Sequence, residues 1–199
     1  MKNVEWGCVA YLSSSQYGKT GEVWINPDSN YITGRSGTSV SSSGTTSTYA
    51  YNNVTYGVNA STTGNIYGIY DMSGCAWEYT AAYVNNGNGN LGTYGGSLIG
   101  ADVKYKDVYT SSGDTQAGNY AANSGKKGEA VYETSSTING SYSWYADYSY
   151  MPYSTGPFFM RGGSYYVTTS AGAFAFDDSS GNAYSTVGFR PVLVLAGSL

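Results

Sequence analysis

The segment Gly68-Ile69-Tyr70-Asp71-Met72-Ser73-Gly74-Cys75-Ala76-Trp77-Glu78-Tyr79 sets one acidic residue on each side of a Gly-Cys turn and ends in two large aromatic side chains. From residue 76 to 84 the alternation predicts an extended strand with Trp77, Tyr79, Ala81 and Tyr83 on one side. Trp77 and Tyr79 are the large apolar anchors a loop-rich chain needs, each with a polar tip that wants a partner. Asp71 and Glu78, together with Arg161 and Arg190, sit among aromatics in a chain with only 11% charged residues. They read as buried or half-buried ion pairs rather than a solvated face.

Upstream, Val4, Cys8, Tyr11, Leu12 and Ser15 recur at helical offsets, which predicts a helix with Asn3 as N-cap and Gly18 as its stop. Glu22 to Asn26 reads as a short strand. Residues 33–48 are almost wholly Thr, Ser and Gly and read as a mobile surface loop. The stretches 85–92 and 110–128 read as loops as well. Toward the end, Phe158 to Arg161, Ala173 to Phe176, Val187 to Arg190 and Val192 to Leu195 read as strands, with Pro191 marking an edge or a bulge. Gly162 and Gly163 allow a backbone geometry that a side chain would forbid. The expectation is a mixed architecture, one domain over 1–199, with little helix, many loops and no repeat of solenoid or propeller length.

Composition narrows the functions. Gly accounts for 28 and Tyr for 23 of 199 residues, well above ordinary usage and against a coiled coil, a helical bundle or a charge-rich tail. Nine basic against thirteen acidic residues give a net charge of -4, so nucleic acid is not an expected partner. No apolar run reaches the length of a membrane span, and the first residues lack the charged and apolar regions of a secretion signal. With no histidine, neither a Ser-His-Asp nor a Cys-His nucleophile system can be assembled, nor a His-ligated metal site. Cys8 and Cys75 are too few for structural zinc, which leaves a disulfide or two buried thiols. No cofactor is expected. Asp and Asn oxygens could hold a structural calcium in loops, but no EF-hand string is present.

Residues 68–79 resemble the G-L-Y-D-M-x-G-N-V-W-E-W signature of the formylglycine-generating-enzyme family. Arg161-Gly162-Gly163-Ser164-Tyr165 and Gly188-Phe189-Arg190 resemble that family's R-G-G-S-W and G-F-R elements, in the same order. Asn3-Val4-Glu5-Trp6-Gly7, followed by Ala10-Tyr11-Leu12, is similar to the first helix of a bacterial and phage subset of this fold. The resemblance implies an α+β, C-type-lectin-like fold with a small twisted antiparallel sheet, few helices and long loops. It also implies that the familiar active sites are missing. The enzymes use paired cysteines in the C-terminal part, where this chain has none; the sulfoxide synthases use histidine; the E-P-N, Q-P-D and W-N-D strings of calcium lectins do not occur.

The branch that remains is the variable proteins of diversity-generating retroelements, which display a mutable C-terminal face on this fold, and residues 162–188 resemble such a variable region. Randomised template adenines in that family leave Lys, Glu, Gln, Trp and Met unreachable. Those five types supply 21 of 199 residues, so a 27-residue window would hold about three, yet 162–188 holds none. Tyr165, Tyr166, Val167, Thr168, Ala175, Asp177, Asp178, Ser179, Tyr184, Ser185 and Thr186 are the expected solvent-facing, ligand-binding positions, alternating with fixed apolar Phe174 and Phe176. The partner is expected to be a protein or cell-surface ligand, met outside the cell, on the cell surface or on a phage particle, without catalysis. Two rivals are a structural subunit of a surface appendage or phage tail, and an enzyme working through an acid/base carboxylate pair.

Overall fold

At the centre of the sheet lies β1, Trp77–Asn85, and the computed structural model describes the chain over residues 1–28, 30–37, 49–50 and 52–193. Along one edge β1 pairs antiparallel with β3, Phe158–Gly162, which pairs antiparallel with β4, Gly172–Ser179. Two short strands share its other edge, both parallel to it. β5, Val187–Phe189, pairs with residues 77–79, and β2, Asp107–Thr110, pairs with residues 82–85. The fold is α+β, but the sheet is mixed and not antiparallel as expected. The parallel pairs arise because the chain reaches β2 by way of α2, Gly89–Gly100, and reaches β5 through residues 180–186 after β4.

The longer strands β1, β3 and β4 bury residues on both sides, so this part of the sheet is covered on both faces. On the first face, Ala82, Val84, Phe159 and Phe176 pack with Tyr109, Val131 and Met151, and Phe174 packs with Trp6, Ala10 and Met72. On the second, Trp77, Met160 and Ala175 form one cluster, while Tyr83 and Phe158 meet Leu91 of α2 in another. The expected one-sidedness of Trp77, Tyr79 and Tyr83 holds, with a register shift between Tyr79 and Tyr83. Ala82 and Val84 carry the opposite face.

The first helix, α1, spans Asn3–Ser14 and is capped by Lys2, whose N–H donates to Glu5 Oε2 at 2.8 Å. It stops before Gly18, and its buried face is Asn3, Trp6, Gly7, Ala10 and Ser13, not the stripe through Val4, Cys8 and Leu12. Close approach decides this: a Cβ on Gly7 would lie 2.1 Å from the Gly128 carbonyl oxygen, so the helix seats through its small residues with Trp6 as anchor. Asn3 is therefore not a cap. It accepts from Thr80 Oγ1 at 2.8 Å and donates to the Tyr109 hydroxyl at 3.0 Å, and Tyr109 donates to Glu129 Oε2 at 2.9 Å. This buried polar chain ties α1, β1, β2 and the 129–131 segment together.

Several loop assignments are corrected. Residues 89–92 open α2, with Asn88 as cap, and Gln116–Ala122 form α3, capped by Thr115. Both helices are short and glycine-bearing, so they carry little intrinsic helical signal and depend on tertiary packing. The 22–26 segment makes only an isolated bridge, Asn26 with Arg35. Residues 33–37, expected as exposed loop, are buried; residues 38–48 lie outside the described residues. Val192 and Leu193 are exposed and not in a strand, and the rest of that expected strand, 194–195, also lies outside them.

Candidate binding face

The 68–79 segment holds the site from below, and its backbone is unusual for a physical reason. Asp71, Gly74 and Cys75 have φ of 59°, 73° and 63°, left-handed conformations that only local hydrogen bonds maintain in non-glycine residues. Asp71 Oδ1 accepts from Gly34 N at 2.9 Å and Thr33 Oγ1 at 3.0 Å. Cys75 N donates to Arg35 O, Gly74 N to Gly162 O, Tyr165 N to Cys75 O and Trp77 N to Thr186 O, all within 2.7–2.9 Å. Arg190 closes the frame on Glu78 in a bidentate pair, Nη2 to Oε1 at 2.6 Å and Nε to Oε2 at 3.0 Å, and also donates to the Asp71 carbonyl at 3.2 Å. Both ends of the 162–188 window are thereby fastened to one loop.

The four charged motif residues do not all pair with each other. Arg161 is fully buried, donates to the Glu129 and Ala130 carbonyls at 3.3 and 3.0 Å, and stacks its guanidinium over Trp6 and Phe176 at 5.7 and 5.8 Å. Burial lowers its pKa to about 10, which leaves it cationic at neutral pH. Gly162 and Gly163 after it have φ of 87° and 82°, the geometry their sequence predicted.

Above this frame lies a cavity of about 420 Å³ on the second face of the sheet. Tyr166, Asp177, Asp178, Ser179, Tyr184 and Thr186 line it. Tyr166 and Tyr184 are 42% and 54% exposed; Asp177 and Asp178 are half-buried. The other expected positions separate from this group. Tyr165 and Ser185 line a neighbouring cavity of about 310 Å³ beside Arg35, Asp71 and Cys75. Thr168 lines a third, between Arg35 and Ser36, in a left-handed conformation with φ 59°. Its carbonyl is held there by the Ser36 hydroxyl at 2.8 Å.

Three expected surface positions are corrected. Ala175 is fully buried between Trp77 and Met160, because β4 is covered on both faces and the simple in-and-out alternation fails there. Val167 is half-buried against the same cluster. Ser179, although it lines the cavity, is only 7% exposed, and its Oγ lies 2.6 Å from the Tyr79 hydroxyl. Tyr79 also donates to the Asn182 carbonyl at 2.9 Å, so the polar tip of this anchor holds the loop after β4.

The cavity opens where the sheet edge loses its cover. Residues 148–150 bond to Phe176 of β4 from both sides, Phe176 N to Tyr148 O and Tyr150 N to Phe176 O. Beyond Phe176 that contact ends, and Asp177 and Asp178 follow. Asp177 Oδ1 accepts from Asp178 N at 2.8 Å. Desolvation, then the neighbouring Asp178, raises the Asp177 pKa to about 7, and desolvation raises that of Asp178 to about 6. Gly156, in a tight turn with Tyr153, is a wall that sequence reasoning missed. A Cβ there would lie 2.0 Å from Asp178 Oδ2. Trp77, read only as a core anchor, and Thr155 are walls too; only the tertiary structure sets the Tyr153-to-Gly156 turn against β4.

The two cysteines are free thiols and not a disulfide, with Cys8 exposed on the outer side of α1. Cys75 donates to the Ile32 carbonyl and Asp71 Oδ1 at 3.3 and 3.4 Å, and burial followed by Asp71 pushes its pKa up. Among the described residues no group of three or more acidic or thiol side chains could hold a metal ion, and no helix is long and apolar enough to cross a membrane. Comparison of the chain with protein-family models, curated proteins and solved structures returned no match.

Proposed function

We propose that the chain is a ligand-display domain with a C-type-lectin-like fold, a variable protein of a diversity-generating retroelement whose diversified face is carried by residues 162–188. The observation that supports this reading most is the gathering of Tyr166, Asp177, Asp178, Ser179, Tyr184 and Thr186 around one cavity. They come from two loops and one strand that are fastened at their ends by motif residues. Tyr side chains offer rigid contact area and Ser and Thr adaptable polar contacts, as a face that must suit many partners requires. Its partner is a protein or cell-surface ligand met outside the cell or on a phage particle. Binding, not turnover, is the function.

The test lies in the DNA. An adenine-rich near-copy of the sequence encoding residues 162–190, beside a reverse transcriptase gene, is the expected finding. Mismatches should fall on the codons of the cavity positions and spare Ala175; a genome without such a copy rejects retroelement diversification. One observation favours a second reading: two carboxyl groups with raised pKa values share a cavity, as a general acid/base pair would. Turnover of chromogenic glycosides, lost in Asp177→Asn, would establish that reading instead.

A further inference from the structure

We infer that the cavity between Trp77, Tyr166, Tyr184, Asp177 and Asp178 is a receptor for a basic side chain of the protein ligand; this rests on the display reading and specifies what the displayed face recognises. Three features carry it. The cavity joins aromatic surface to carboxylate: Trp77 and Met160 at its base, Tyr166 and Tyr184 at its exposed sides, the two aspartates at the strand edge. Rings and carboxylates together favour a cation, through attraction to the ring faces and charge-assisted hydrogen bonds.

The second feature is that the site supplies negative charge without a cation of its own. No lysine or arginine lines the cavity among the described residues, and neither aspartate has an ion-pair partner there. The molecule pairs Glu78 with Arg190 elsewhere, whereas Asp177 and Asp178 stand together beside an open cavity. The third is Gly156, whose missing side chain leaves the space that the Asp178 carboxylate occupies.

Ligand binding must then track ionisation. The titratable groups facing Asp177 are Asp178 on the same strand, Tyr148 on the adjoining segment, and Tyr166 and Tyr184 on the loops; its cross-strand partner Met160 is neutral. With Asp177 and Asp178 raised to about 7 and about 6, the empty cavity is largely protonated at pH 5 and ionised at pH 8. An incoming cation draws the protons off, so association near pH 6.5 releases protons to the buffer.

The experiment uses the full chain with N-acetyl-argininamide, and N-acetyl-citrullinamide as its uncharged isostere, followed by NMR shifts of the Trp77 indole and the Tyr166 and Tyr184 rings. The arginine probe should move these resonances, with affinity rising by at least about tenfold from pH 5 to pH 8, and the citrulline probe should not. Asp177→Asn and Asp178→Asn should each weaken the response; should either variant misfold, the isostere comparison and the pH series on the unaltered chain decide alone. Equal response to both probes, no dependence on pH, or no response to arginine overturns the inference. The display reading fails separately, on the missing template copy.

Discussion

Arg190 and Glu78 stand 112 positions apart in the chain and meet in a bidentate pair with Nη2 to Oε1 at 2.6 Å. The pair joins β5 to β1 at the end of the sheet where the candidate binding face begins. It is half-buried, and desolvation raises the Glu78 pKa in spite of the arginine. Breaking one partner of such a pair strands the other. Arg190→Ala should cost about 2 kcal/mol at pH 8 by denaturant unfolding, toward the low end for buried pairs because solvent reaches it. The loss should shrink toward pH 5, where the orphaned Glu78 takes up a proton; a loss independent of pH would assign the effect to the Asp71 carbonyl contact instead.

The exposed and buried aromatics should behave oppositely on truncation. Tyr166→Ala and Tyr184→Ala should each change stability by no more than about 0.5 kcal/mol, as for exposed positions, while Trp77→Ala should cost about 3–5 kcal/mol. Thermal unfolding of the three variants checks this. A large loss at Tyr166 or Tyr184 would place them in the core and remove them from any binding face.

Stability itself should fall as pH rises through the cavity aspartates. Their folded pKa values, about 7 and about 6, lie above the ordinary carboxylate range. The native state therefore holds protons that the unfolded chain releases between pH 4 and 7, so unfolding free energy decreases as pH increases across that window. Glu22, Glu129 and Asp147 are shifted up by desolvation and act in the same direction, while Glu133 is shifted down and opposes them. Asp177→Asn should raise the melting temperature at pH 8, leave it nearly unchanged at pH 5 and flatten the profile between them.

Gly7→Ala is the sharpest test of how α1 is seated. Helix propensity alone makes alanine better by about 1 kcal/mol. The added Cβ would meet the Gly128 carbonyl oxygen at 2.1 Å and Glu129 backbone atoms at 2.7 and 2.8 Å. The substitution should therefore destabilise the protein, and a gain in melting temperature would contradict the packing of α1 on the 128–130 segment.

The thiols should differ in reactivity. Native protein should release one rapid equivalent with a disulfide reagent, from exposed Cys8. Cys75, half-buried and donating to Asp71 and Ile32, should react far more slowly, because the thiolate is the nucleophile and desolvation disfavours it. Two rapid equivalents would mean that the 68–79 loop opens in solution.

The amino-acid order by itself determined whatever depends on local chemistry. Strands at 158–161, 173–176 and 187–189 follow from apolar and aromatic runs bounded by turn residues, the left-handed turn at Gly162-Gly163 from the missing Cβ, and the exclusion of histidine chemistry from composition. It also grouped Tyr166, Asp177, Asp178 and Tyr184 as candidates. Only the tertiary structure decided which face of α1 is buried, since close approach selects Gly7 and Ala10 over larger apolar residues, a preference no hydrophobic stripe encodes. It made helices of Gly89–Gly100 and Gln116–Ala122, whose stability comes from packing and not propensity. It sealed Ala175 while leaving Asp177 at an open edge, because a strand covered on both sides sorts its residues by what lies above each one, and that cover arrives from residues 148–156, distant in sequence.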